Sequence, residues 1–275
     1  MANLFDVCLD DPAKRGRLAL EAPGGVRFTY AELIAETGRM ANALAVAGVK
    51  PGDRVAVQVE KSPANVVLYL ACLRAGAVSL PLNTAYTLPE VGYFVGDAEP
   101  SLVVCDPAVQ AGVEEIAARA GASVLTLDEA GQGSLADLVR AQAEAFDTVP
   151  RTDDDLAAIV YTSGTTGRSK GAMLSHGNLA SNAATLVDSW RFTADDVLIH
   201  ALPIYHVHGL FVAINVLLLA GGTMLFLPKF DPEAVMGLMP RATCLMGVPT
   251  FYTRLLKHPG LTPAISSTLI ATNRP

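Results

Sequence analysis

The residues Thr162-Ser163-Gly164-Thr165-Thr166-Gly167-Arg168-Ser169-Lys170-Gly171 gather hydroxyl side chains, three glycines and two cations into ten consecutive positions. Glycines permit close backbone approach, hydroxyls and free amides donate hydrogen bonds, and Lys170 supplies charge, a combination suited to a polyphosphate. The common P-loop pattern does not fit, because it needs Ser or Thr after its lysine and Lys170 is followed by Gly171. A plain Ser/Thr/Gly surface loop is the competing explanation. A second candidate is His206, within a stretch from Val197 to Pro228 that contains no Asp, Glu, Lys or Arg. A lone histidine there is either a hydrogen-bonded core residue or a group held beside a reacting centre. His208 reads as structural, and nothing but their presence argues for His176 and His200.

These residues need a scaffold. The loop directly follows Leu156-Ala-Ala-Ile-Val-Tyr161, a continuous apolar run of strand length. Upstream, Val26–Tyr30 reads as a short strand followed by a helix from Tyr30 to Val46. Arg54–Val59 is a β-branched strand, and Ser62-Pro63 supplies an N-cap and first-turn proline for a helix through Leu73. Strands are expected at 77–81, 101–105, 123–127 and 156–161, with helices at 88–96, 108–120 and 134–145. The second half continues with helices at 178–190, 210–219, 232–238 and 250–257, and strands at 197–201, 223–227 and 243–248. Continuous apolar strands alternating with amphipathic helices predict an α/β fold of stacked, mostly parallel sheets with helices on their faces. The acidic stretch 147–155 reads equally as a lobe boundary and as a charged surface loop. The expected lobes are 1–150 and 151–261, followed by a tail at 262–275.

The 275 residues are 51% hydrophobic and 17% charged, against roughly a quarter charged in an average soluble chain. That composition excludes disorder. A net charge of −7 without a dense Lys/Arg run excludes a broad nucleic-acid or anionic-membrane surface, so anion binding must be local. The apolar stretch at 197–228 is interrupted by Pro203, three histidines, Asn215 and Gly221-Gly222, short of the 18 to 20 clean residues a membrane span needs. The four cysteines are far apart and in apolar company, as in Leu-Val-Val-Cys105, and read as small core residues in a reducing compartment. With no export signal visible at the N-terminus, a cytoplasmic location is expected.

Tyr161-Thr-Ser-Gly-Thr-Thr-Gly-Arg-Ser-Lys-Gly171 resembles the signature of the adenylate-forming (AMP-binding) enzymes, the superfamily of acyl-CoA synthetases, peptide-synthetase adenylation domains and firefly luciferase. The resemblance extends in order through Phe28-Thr-Tyr-Ala-Glu-Leu33, Pro81-Leu-Asn83 and Leu202-Pro-Ile-Tyr-His206-Val-His208-Gly209. Pro81–Leu88, Leu202–Phe211 and Met246-Gly-Val-Pro-Thr-Phe-Tyr252 look most like the malonyl-CoA synthetases within it. The resemblance covers the N-terminal portion of such an enzyme.

It implies a two-step ligation: a carboxylate attacks the α-phosphorus of ATP to give an acyl-adenylate and pyrophosphate, and the thiol of coenzyme A then displaces AMP. Thr162, Ser163, Gly164, Thr165, Thr166 and Gly167 would cradle the β- and γ-phosphates, with Mg²⁺ offsetting their charge. Lys170 would neutralise phosphate or else pin the loop by pairing with an acid, while Arg168 and Ser169 are expected to be solvated. His206 would lie beside the carboxylate and α-phosphate. A malonate or methylmalonate substrate carries a second carboxylate whose unpaired burial costs several kcal/mol. Lys229, ahead of Arg241 and Arg254, is the candidate to meet it, against the plainer reading of a solvated strand end. The family's adenine motif with its Mg²⁺ acid, its ribose aspartate and the lysine of its C-terminal lid are not found, and residues after Leu261 leave the pattern. The isolated chain is therefore expected not to complete thioester synthesis and to self-associate through uncovered apolar surface. A non-catalytic nucleotide-binding or interaction module, and a fatty-acid–CoA ligase or amino-acid adenylation domain, remain the alternatives.

Overall fold

The computed structural model describes residues 3–162 and 169–267. Its strands are β1 (Leu18–Glu21), β2 (Arg27–Thr29), β3 (Arg54–Gln58), β4 (Val78–Pro81), β5 (Leu102–Cys105), β6 (Ser123–Thr126), β7 (Leu156–Thr162), β8 (Lys170–Ser175), β9 (Val197–His200), β10 (Thr223–Phe226) and β11 (Cys244–Met246). The helices are α1 (Leu4–Leu9), α2 (Tyr30–Val46), α3 (Pro63–Arg74), α4 (Leu88–Ala98), α5 (Gln110–Ala120), α6 (Ser134–Arg140), α7 (His176–Trp190), α8 (Asn215–Ala220), α9 (Pro232–Leu238) and α10 (Pro249–Leu256). The chain forms two compact units, Met1–Val7 with Ile34–Leu179 and Cys8–Leu33 with Ala180–Pro275. These units interleave along the chain, a different division from the lobes expected at 1–150 and 151–261.

The first unit holds a six-stranded sheet in the order β6-β5-β3-β4-β7-β8. Five strands run parallel, and β8 alone returns antiparallel against β7. The interior strands are apolar on both faces, as a doubly covered sheet requires; all four residues of β5 are buried. α3 begins as its sequence dictates: the Ser62 hydroxyl accepts from the Asn65 amide, Pro63 opens the first turn, and the helix is buried on nearly every side. α4 starts with a reciprocal capping box between Thr87 and Glu90. Its Val91, Phe94 and Val95 pack on Leu80, Leu82, Val103 and Val113.

The second unit holds a five-stranded sheet in the order β11-β9-β10-β1-β2, parallel except for the β1–β2 hairpin. Ile199, Leu225, Val235, Met236 and Leu255 form the core beneath it. α8 ends at Gly221, whose φ of +83° suits a residue without Cβ. There the Lys14 ammonium donates to the carbonyls of Leu219 (2.9 Å), Leu218 and Cys8, a cation on the negative end of a helix. β11 is an edge strand, and the Tyr252 hydroxyl reaches back from α10 to donate to the Leu245 carbonyl at 3.2 Å. The backbone of Gly247 bonds the same hydroxyl.

All four cysteines are buried free thiols, as expected, and burial pushes Cys8 and Cys72 up to about 12. Among the described residues no helix is long and apolar enough to cross a membrane. Four elements were not anticipated: α1, β1, the returning strand β8 and a short last helix, α11 (Pro263–Ser266).

His176 sits at the start of α7, 1% exposed, where its Nδ1 accepts the Leu4 amide at 3.0 Å. Burial pushes its imidazole down to about 4, the Arg151 guanidinium adds to the effect, and Asp155 opposes it. Below the ordinary histidine value the unfolded chain takes up a proton that the folded chain refuses. Stability is therefore complete above about pH 6.5 and is lost as pH falls toward 4, by about 2 kcal/mol at pH 5. Urea midpoints at pH 7 and pH 5 measure the loss. His176→Asn, which keeps an acceptor without a titrating proton, should flatten that interval; an equally steep decline in the variant would assign the acid sensitivity elsewhere.

Candidate functional site

In the first unit, β7 runs parallel to β4, so the segment that follows Thr162 leaves from the edge where the parallel strands end. In open α/β sheets this is the edge at which ligands bind. The segment joins β7 to β8, whose ladder pairs Leu156 with Ser175 through to Thr162 with Lys170. No strand was expected between this loop and the helix at 178–190; β8 lies there, and α7 follows it. Ser163, Gly164, Thr165, Thr166 and Gly167 lie outside the described residues. The two described members of the predicted cradle, Thr162 and Lys170, are opposite one another at the head of the ladder and both are exposed. Lys170 has no acid partner among the described residues.

The signature's flanking residues have packing roles. Tyr161 faces Gly171 across the ladder, and a Cβ on Gly171 would lie 3.4 Å from the Tyr161 ring and 3.0 Å from Ile159. The glycine thus makes room for the ring that covers it. Tyr161 also lies against Phe94 at 4.5 Å between ring centres and donates its hydroxyl to Asp97 at 2.5 Å. Burial and the Asp97 carboxylate raise the Tyr161 phenol well above its ordinary range. At the other foot of the loop, the Tyr93 hydroxyl donates to the Ser169 carbonyl at 2.8 Å. Tyr93 and Asp97 were not anticipated; their four-residue spacing on one face of α4 is the signal that was available. Also at this edge, after β3, Lys61 is 8% exposed, and burial drives its ammonium well below its usual range.

In the second unit β9, β10 and β11 are parallel, so the segments after all three emerge from a common edge. His206 lies after β9 and is exposed, and partial shielding of its ring lowers its proton affinity. Its carbonyl accepts the Leu210 amide at 3.0 Å, at the start of a π-helical turn spanning His208–Ile214, a wound form often found at functional sites. His200, given no role from sequence, anchors this segment: it is fully buried, and its Nε2 meets the Gly209 carbonyl at 2.8 Å.

Lys229 follows β10 and is exposed. The competing cations are otherwise engaged: Arg241 pairs with Glu21 at 2.7 Å, and Arg254 lies 5.0 Å over the Phe230 ring. Among the described residues no group of three His, Cys, Asp or Glu is placed to hold a metal.

The chain matches the AMP-binding enzyme family over residues 10–270. It belongs to that family. The match runs past Leu261, after which the tail was expected to leave the pattern. A feruloyl-CoA synthase of Amycolatopsis sp is 37% identical over 254 residues, which are 90% of this chain and 50% of that protein. The mitochondrial malonate–CoA ligase ACSF3 of Homo sapiens is 31% identical over 256 residues, 88% of this chain and 43% of that one. Among solved structures, ATP-bound MatB from Rhodopseudomonas palustris is 61% identical with a TM-score of 0.96, covering 98% of this chain and 54% of that chain. The N-terminal domain of FACL13 from Mycobacterium tuberculosis is 27% identical with a TM-score of 0.86 over 94% of this chain and 66% of that one. The α/β fold with two mostly parallel sheets is that of the N-terminal domain of acyl-CoA synthetases, and the chain spans about half the length of the curated relatives it matches.

Proposed function

We propose that this chain carries the phosphate- and acid-binding part of an ATP-dependent acid–thiol ligase whose acid is malonate. The observation that carries this reading is the family signature at 161–171, whose described ends, Tyr161–Thr162 and Lys170–Gly171, lie at the carboxyl edge of a parallel sheet in a chain 61% identical to an ATP-bound relative. Thr162 through Gly167 donate to the β- and γ-phosphates, and Lys170, exposed and without an acid partner among the described residues, adds the charge. Hydroxyl and amide donors fit a magnesium nucleotide whose ion is held largely by the phosphates; bound there, the ion offsets their charge. His206 orients the acid at the α-phosphorus, and Lys229, which unlike Arg241 and Arg254 has neither an ion pair nor a ring contact among the described residues, receives the second carboxylate. The malonate–CoA ligase relative supports that acid.

A second reading, an aromatic acid, is favoured by the feruloyl-CoA synthase relative. Malonate-dependent exchange of labelled pyrophosphate into ATP separates them. Malonate is expected to drive exchange above methylmalonate, acetate, octanoate and ferulate. Ferulate-driven exchange would replace malonate, and binding of MgATP without exchange for any acid would leave a nucleotide-binding module.

A further inference from the structure

We propose that Tyr93 and Asp97 of α4 are positioning residues for nucleotide binding, because one helix grips both feet of the loop between β7 and β8. The proposal rests on reading that loop as phosphate-binding. Tyr161, the last residue but one of β7, donates to Asp97 Oδ2 at 2.5 Å, and Tyr93 donates to the Ser169 carbonyl at 2.8 Å. Residues 93 and 97 lie one turn apart and share a face of α4. The helix thus spans the mouth of the hairpin at the point where the Thr162–Lys170 pair ends the ladder.

The hairpin needs that support. β8 is an edge strand, exposed from Lys170 through Met173, and among the described residues its one ladder partner is β7. α4 is itself fixed. Its first turn is closed by the Thr87–Glu90 box, and Phe94 is buried in the core against Tyr86 at 4.8 Å and Tyr161 at 4.5 Å. Tyr93 completes the aromatic cluster at 5.4 Å from Phe94. The rings set the distance from helix to hairpin, and the two hydroxyl bonds then fix where each foot stands. Catalysis of phosphoryl and adenylyl chemistry depends on such placement more than on added contacts.

The test uses the 275-residue chain and the variants Tyr93→Phe, Tyr161→Phe, Asp97→Ala and Asp97→Asn, the last retaining a carbonyl acceptor. Hydrogen exchange at Thr162 and at Ser169–Gly171, and trypsin cleavage after Lys170, read the feet directly. Tyr93→Phe and Asp97→Ala should each accelerate both about fivefold, the value of one hydrogen bond, while exchange in β3 and β5 and the melting temperature stay unchanged. Asp97→Asn should restore most of the protection. Combining Tyr161→Phe with Asp97→Ala should add nothing to either alone, as expected for two halves of one contact. MgATP dissociation constants should rise about fivefold in the same variants.

Unchanged protection at the feet overturns the proposal, and so does altered protection without any change in MgATP affinity. If the unmodified chain has no affinity for MgATP, the phosphate-loop reading fails, and the gripping role still stands or falls on exchange and trypsin alone.

Discussion

Replacing Thr165 and Thr166 together by alanine is expected to raise the MgATP dissociation constant about a hundredfold, since two hydrogen bonds to charged phosphate oxygens contribute about 3 kcal/mol together. The fold should survive. The hairpin is closed by backbone pairs from Thr162–Lys170 to Leu156–Ser175, and Ile159 and Tyr161 pack against the core beneath it. Lys170→Ala should weaken binding in the same direction and leave the melting temperature unchanged. Titration calorimetry alongside thermal melts provides the check. Wild-type affinity in the double variant would remove the phosphate role from this loop. A lowered melting point with unaltered affinity in Lys170→Ala would make the lysine a structural pin.

The second large effect is expected at Gly209. It is buried at the head of the π-helical turn, and a Cβ there would fall inside van der Waals contact of the Pro203 carbonyl and 3.1 Å from Leu202 Cβ. Backbone cannot yield as a flexible side chain can. Gly209→Ala should therefore cost about 3 kcal/mol, roughly 5–10 °C in melting temperature. It should also displace the whole Pro203–His208 segment, because the Gly209 carbonyl is the atom that His200 holds. Acid-dependent pyrophosphate exchange should fall more than MgATP affinity does. A variant that melts normally and exchanges normally would mean that this turn has slack that its contacts do not show.

Elements with local signals were legible from sequence. α2 and α3 appear within a residue of their expected bounds because their apolar spacing, the Ser62 cap and Pro63 all act over a few residues. The helix expected at 134–145 stops at Arg140. The reason is distant: carbonyls of Gln142, Ala143 and Ala145 accept from Arg39 and Asn42 of α2. Gly38 lets the Glu144 backbone lie against that helix. β1 has four residues and owes its existence to β10, about two hundred positions away. β8 carries no alternation because four of its six residues face solvent. The site divides in the same way. The loop announced itself by composition and family pattern, whereas Tyr93 and Asp97 act on it from some seventy positions upstream, and His200 acts through a single carbonyl.

The hydroxyl of Tyr252 has a further significance. Leu245 and Gly247 point their backbone groups to the same side as Thr243, whose amide donates to Val197 of β9, so this hydroxyl stands on the β9 side of β11, past the last residue of that strand. It gives a proton to the Leu245 carbonyl and is bonded by the Gly247 backbone, the two bonds that a further residue of β9 would make there. The side chain thus counterfeits the next link of the ladder. Because the hydroxyl belongs to α10, the end of the sheet and the first turn of that helix hold one another in place through a single phenol.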